Sequence, residues 1–364
     1  MAAEKLQQER LSGSDVDEQL RDVVAEQRQR ILDCLNPPPG TQVILCPSGS
    51  AAEYLPVAMA KALTSKPIVN GVTQVREIGA GSAPAAMGQY FSPHAPLTGP
   101  LANAQGTLQG FEGVDGVALD ARHRSGEAQD AVIAMTEFRD QALAQGQYPI
   151  VHGVFGGKTG MRDPTMPDSQ LDKYMGVVDA CQGRFTHAEL CEWLNQDSVV
   201  LFTGSKFYQG PPFCGAVLVS SRLAERLTQA DAPVDMLSSG GLGGFLTDKE
   251  LPECLSSWGP HLATSDKDTN NMGLALRWEA GLAGMEALKH VPDEERNVAV
   301  ATWAETVTNQ GNDQDMLHAW CVERSIVSIR AKSSSGVWRS MSELRDLYRW
   351  MSLNVAELVP EATP

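Results

Sequence analysis

Val199-Val200-Leu201-Phe202-Thr203-Gly204-Ser205-Lys206-Phe207-Tyr208-Gln209-Gly210-Pro211-Pro212-Phe213-Cys214-Gly215-Ala216-Val217-Leu218-Val219 reads as strand, polar turn, strand, with Lys206 in the turn. An ammonium between two apolar strands is costly unless it is paired or used, because desolvation penalises an isolated charge. A surface loop would accommodate the same residue, since most lysines are exposed. Two stretches upstream bear on the choice.

The first is Val177-Val178-Asp179-Ala180-Cys181-Gln182-Gly183-Arg184, an apolar run ending in a carboxylate 27 positions before Lys206. The second is Val43-Ile44-Leu45-Cys46-Pro47-Ser48-Gly49-Ser50-Ala51-Ala52-Glu53, a strand, a small-residue turn and a helix start. Ser50 and Glu53 have capping-box spacing, which predicts a helix from Ala51 that Pro56 bends after its first turn. A glycine-containing turn at a helix start presents N–H groups that suit a phosphate, although an ordinary capped helix fits the same residues. Further strands are expected at 68–71, 117–120 and 149–154, and helices at 127–145 and after a second capping box, Thr186 with Glu189. This alternation predicts an α/β fold with a mostly parallel sheet sandwiched by helices. Ligands of such sheets gather beyond the carboxyl ends of the strands, where Ser48, Asp179 and Lys206 all fall.

The serine-glycine turn, the Asp-x-x-Gln of Asp179 and Gln182 and the Thr-x-x-Lys of Thr203 and Lys206 follow one another in order. In this, residues 40–285 resemble the fold-type I pyridoxal-phosphate-dependent enzymes, in particular the class V aminotransferase and cysteine desulfurase branch. The resemblance implies a PLP-dependent transferase-like large domain with a smaller α+β C-terminal domain and pyridoxal 5'-phosphate as cofactor. It implies Lys206 as the Schiff base lysine and proton shuttle, its pKa lowered by burial beside positive charge. Asp179 would keep the ring nitrogen protonated, and Gln182 would donate to the phenolic oxygen. Ser48, Gly49, Ser50 and Ala51, with the hydroxyls of Thr203 and Ser205, would hold the phosphate. Thr269 and Asn270 would reach the phosphate of a partner subunit, which implies a homodimer with shared active sites. Ser205 stands where the family commonly has histidine, and Thr203 where it has serine; both keep a hydroxyl. A ring-stacking aromatic is expected near 77–80, but Glu77-Ile78-Gly79-Ala80 has none, leaving Tyr90, Phe91 and His94 as candidates.

The leading expectation is an aminotransferase acting at the α-carbon of a small amino acid, with a keto acid as the other substrate. A lyase performing β-elimination and a non-catalytic scaffold are the alternatives. Cys321, between Trp320 and Val322, reads as packed rather than mobile, which disfavours sulfur transfer. No strand is visible for the arginine that family members use to bind the substrate carboxylate, and Arg330 is the strand-borne candidate nearby. An ATP-binding reading of Gly157-Lys158-Thr159 ranks last, because His152 occupies the position of the first P-loop glycine. Pro84 breaks a dinucleotide fingerprint at Gly79-Ala80-Gly81, and Asn271 and Arg277 break a calcium loop at Asp266.

Composition bounds the rest. The 364 residues carry 45 acidic and 29 basic side chains, a net charge of −16 that argues against nucleic acid or an anionic membrane as partner. The seven cysteines are dispersed without a Cys-x-x-Cys pair and the seven histidines without His-Glu-x-x-His, so neither a disulfide framework nor a metal is expected. No apolar run spans a membrane and the first residues lack a secretion-signal core, so a cytoplasmic protein is expected. The expected organisation is an N-terminal helical arm (1–36) ended by Pro37-Pro38-Pro39, a large cofactor-binding domain (37–285) and a small C-terminal domain (286–364) without a final strand.

Overall fold

The buried apolar runs of the sequence pair into one seven-stranded sheet in a computed structural model that describes residues 16–101, 106–123, 127–163, 165–262, 270–323, 326–351 and 353. Its strands are β1 (Gln42–Cys46), β2 (Ile68–Thr73), β3 (Asp115–Leu119), β4 (Tyr148–Val154), β5 (Met175–Asp179), β6 (Val199–Thr203) and β7 (Gly215–Val219), in the order β1-β7-β6-β5-β4-β2-β3. From β6 across to β3 every pairing is parallel, while β7 runs antiparallel to both neighbours. Parallel strands covered on both faces read as continuous apolar runs. Accordingly β2, β4, β5, β6 and β7 are buried at every position.

The antiparallel strand sets up the site. Gly215, its first residue, pairs with Cys46 on one side and Thr203 on the other, so β7 begins where β1 and β6 end. A β-carbon on Gly215 would stand 2.4 Å from the Ser48 backbone, so only glycine lets the turn after β1 lie across this edge.

That turn departs from expectation. Ser48, not Ser50, caps the short helix α2 (Gly49–Ala52), accepting a hydrogen bond from the Ala51 N–H at 3.0 Å. The expected capping box is not formed: Glu53 is 1% exposed and its carboxylate faces His152 in the core. The helix is interrupted at Glu53 and resumes as α3 (Tyr54–Leu63), which places Pro56 in a first turn, where a missing N–H is tolerated.

The chain divides into two compact units, Met1–Val291 and Pro292–Pro364. In the first, helix α1 (Val16–Leu35) lies on the helix Met272–Lys289, with Arg30 bonded to Glu279 at 2.8 Å and to Glu286 at 2.7 Å. Thr186 and Glu189 form the expected capping box. The second unit holds a helix (Asp293–Asn312), an antiparallel hairpin of β8 (Leu317–Glu323) and β9 (Ile326–Ala331), and a last helix (Met341–Met351). Strand β8 was not anticipated. Cys321 lies on it, exposed rather than packed, and paired with Val327 rather than on a loop. Arg330 of β9 lies over the Trp338 ring, 4.8 Å from its centroid. No helix among the described residues is long and apolar enough to cross a membrane.

Candidate active site

A cavity of about 290 Å³ opens where β1, β4, β5 and β6 end. It is lined by Ser48, Gly49 and Ser50 from the first turn, Asp179 and Gln182 from the second, and Thr203, Ser205 and Lys206 from the third. Three segments spread over more than 150 residues of sequence thus meet at one carboxyl edge, as the doubly wound topology requires. Its volume lies at the low end for small-molecule sites.

The individual groups are held in different ways. The first N–H groups of a helix lack intrahelical acceptors, and with the Ala51 N–H taken by Ser48, those of Gly49 and Ser50 remain for a ligand. Asp179 ends β5, is 5% exposed, and accepts the Cys181 N–H at 3.0 Å through Oδ1. Gln182 receives the Arg184 guanidinium at 2.6 Å; a guanidinium only donates, so the atom facing it is the amide oxygen, and Nε2 is left as a donor. Thr203 donates its hydroxyl to the Cys181 carbonyl at 2.8 Å, tying the third turn to the second, and accepts from Ser205 at 3.3 Å. Lys206 is exposed, so the burial expected around it is not supplied by the protein alone.

Ala51, expected at the phosphate, does not line the cavity, and its N–H is taken by Ser48. Asn270 does not line the cavity; its amide oxygen accepts the Met272 N–H at 3.2 Å. Thr269 lies outside the described residues. Of the three candidates for ring stacking none lines the cavity: Tyr90 donates to Gly240, Phe91 packs with Tyr54 and Phe245, and His94 lies in the short strand 94–95.

The cavity also has lining residues that were not named as site residues from the sequence: Glu77 and Ile78, from the stretch expected beside the ring, with Ser82, Lys158 and Cys181. Ser82 adds a hydroxyl near Ser50, since the β-carbon position of Gly79 lies 3.2 Å from one hydroxyl oxygen and 3.8 Å from the other. Glu77 accepts from Thr159 and from Arg122, the latter also through Nη2 at 3.0 Å. Burial alone would raise the Glu77 carboxyl, but these bonds hold it below its ordinary range. The Glu77 carbonyl takes the Lys158 N–H at 2.6 Å, so the turn Gly156–Gly160 is pinned to Glu77 by both backbone and side chain.

No family model matches this sequence, and no curated protein matches it. Solved structures do. Mouse CSAD aligns with 14% identity over 93% of this chain and 66% of its own, at a TM-score of 0.54. The apo cysteine desulfurase of Thermococcus onnurineus NA1 aligns with 12% identity over 94% and 74%, at 0.54. The glutamate decarboxylase domain of diaminobutyrate-pyruvate transaminase and L-2,4-diaminobutyrate decarboxylase from Vibrio parahaemolyticus aligns with 13% identity over 92% and 63%, at 0.51. The chain thus spans just under two thirds of the length of the first and last of these. At such identities the likeness establishes the fold, which is the transferase-like α/β architecture expected from the sequence.

Proposed function

We propose that this chain is a pyridoxal-phosphate-dependent enzyme acting at the α-carbon of a small amino acid, and that it is an aminotransferase. One observation carries the reading: Lys206 and Asp179, far apart in sequence, line the same cavity with the serine-glycine turn between β1 and α2. The donor set suits the cofactor. Hydroxyls of Ser50, Ser82 and Ser205 and the N–H groups of Gly49 and Ser50 would hold a phosphate. Cys181 and Ile78 would flank a ring, and the free amide donor of Gln182 would meet its phenolic oxygen. When bound, pyridoxal phosphate supplies an electron sink for charge developing at the substrate α-carbon.

The protein's own contributions follow from the geometry. Asp179, held by the Cys181 N–H, would keep the ring nitrogen protonated. Lys206 would hold the cofactor through its amine and would move the proton at the substrate α-carbon. Ligand binding completes the burial that Lys206 lacks on its own. Lys158 is, with Lys206, one of two cationic side chains among the described residues lining the cavity, and it would hold the substrate α-carboxylate. A cation on that carboxylate stabilises the ground state of the bond that decarboxylation breaks, which favours proton transfer at the α-carbon.

Absorbance titration of the purified protein with pyridoxal phosphate, followed by amino acids and 2-oxo acids, tests the reading. The visible band should change with an amino acid and return when a 2-oxo acid is added. A bound cofactor inert to the whole panel would replace the enzyme with a scaffold. A colourless protein that binds ATP instead would overturn the reading altogether.

A further inference from the structure

Beside Asp179 the core holds a polar group whose other two members, Glu53 and His152, do not line the cavity. Glu53, His152 and Asp179 are 1%, 0% and 5% exposed, and one ligating atom of each lies within 4.8 Å of the other two. His152 Nδ1 stands 3.5 Å from Glu53 Oε2. Among the described residues neither Glu53 oxygen nor either His152 ring nitrogen has a hydrogen-bond partner. Four orphaned polar atoms in one place are expensive, because each gives up its hydration for no replacement bond, and a core keeps such a cluster only for a reason.

Charge bookkeeping narrows the reason. No lysine or arginine pairs with Glu53 or His152 among the described residues, and the other titratable group interacting with the cluster is the half-buried thiol of Cys181. Two adjacent buried carboxylates cannot both remain ionised without a cation. Asp179 touches the cavity and accepts a backbone N–H, so it has the means to stay anionic. Glu53 has neither.

We propose that Glu53 is kept as a neutral carboxylic acid beside Asp179 and, with neutral His152, orients Asp179 and keeps it the single anion of the cluster. The Glu53 O–H donates to His152 Nδ1 once the 3.5 Å separation closes by a few tenths of an ångström, which leaves the ring proton on Nε2. Burial, reinforced by the Asp179 charge, pushes the Glu53 carboxyl well above its ordinary range, and burial lowers His152 to about 4, in keeping with this assignment. Glu53 is then a positioning residue. Its importance to catalysis rests on the proposed function; its proton is a property of the chain alone.

Infrared spectroscopy of the full chain without added cofactor reads that proton. The expected result is a protonated-carboxyl stretch at neutral pH that disappears in Glu53→Gln. In Asp179→Asn the same band should titrate away at lower pH, because the neighbouring charge is gone; a purely structural glutamate would show no such coupling. Glu53→Gln should retain pyridoxal phosphate affinity within about threefold, whereas Glu53→Ala, which frees Asp179, should weaken it about tenfold or more. Absence of the band in the wild-type protein would overturn the proposal, and that reading needs no variant to fold. A divalent metal that copurifies with the wild-type chain and not with Glu53→Gln would overturn it too. A protein showing the Glu53 band yet binding no pyridoxal phosphate would refute the proposed function and leave this inference standing.

Discussion

A β-carbon on Gly49 would stand 2.9 Å from the Cys181 sulfur and 3.1 Å from Thr203 Cγ2, so the turn after β1 is pressed directly against the turns after β5 and β6. This close approach makes one cavity out of three distant segments. Gly49→Ala should therefore separate the turns, with a stability loss of about 1–3 kcal/mol from overpacking and a tenfold or greater loss of pyridoxal phosphate affinity. Thermal unfolding and fluorescence titration measure the two effects. Unchanged affinity would mean that the turn after β1 holds no part of the ligand.

Arg184 acts at one remove, through Gln182. Arg184→Ala releases the amide oxygen that the guanidinium now holds at 2.6 Å, so Nε2 loses its fixed direction. The predicted outcome is a shifted pH midpoint of the bound cofactor's visible band with modest loss of affinity, and Arg184→Lys should restore only part of it. A spectrum identical to wild type across pH would remove Gln182 from the site.

Under the proposed function, Lys158 would separate substrate recognition from cofactor binding. Lys158→Met should raise KM for the amino acid about tenfold or more, the loss expected of one charge-assisted hydrogen bond. Cofactor affinity should hold, and Lys158→Arg should recover part of the KM. Loss of cofactor instead would reassign Lys158 to the phosphate.

His152 sets a pH dependence whose sign can be worked out. Burial lowers its pKa from an ordinary 6.5 to about 4, so between those values the unfolded chain binds a proton that the folded chain refuses. Its contribution to stability is present above pH 6.5, falls as the pH drops, and is lost near pH 4, a total of about 3 kcal/mol. Glu53, shifted upward, works in the opposite sense: its contribution is lost as pH rises through its folded-state pKa. The comparison of wild type with His152→Gln isolates the histidine. Denaturant unfolding at a series of pH values should show a flatter acid limb in the variant, and parallel limbs would contradict the assignment.

The sheet was legible because a strand buried on both faces must be apolar throughout, so Val199–Thr203 and Met175–Asp179 announced themselves without any partner. The Thr186 cap was legible because a capping box is local. Around α2 the same local rule misled: Ser48 and Ser50 are both competent caps, and only the burial of Glu53 against His152, about a hundred residues away in sequence, decides between them. The resemblance put the 77–80 stretch beside the ring, but which side chains face the cavity, Glu77, Ser82 and Lys158 among them, follows no period or spacing and emerges only in the assembled sheet. Strand β8 escaped because its own residues from Leu317 to Cys321, Ala319 apart, are half-buried or exposed, which weakens the hydrophobic signal on which strand assignment depends.

The central claim is that the Lys206 amine binds the aldehyde of pyridoxal phosphate. Borohydride reduction of the loaded protein, followed by proteolysis and mass spectrometry, addresses it directly. A stable pyridoxyl adduct is expected on the peptide containing Lys206, absent from Lys206→Ala. A reduced adduct confined to Lys158 or another lysine, or no adduct in a protein saturated with the cofactor, would contradict it.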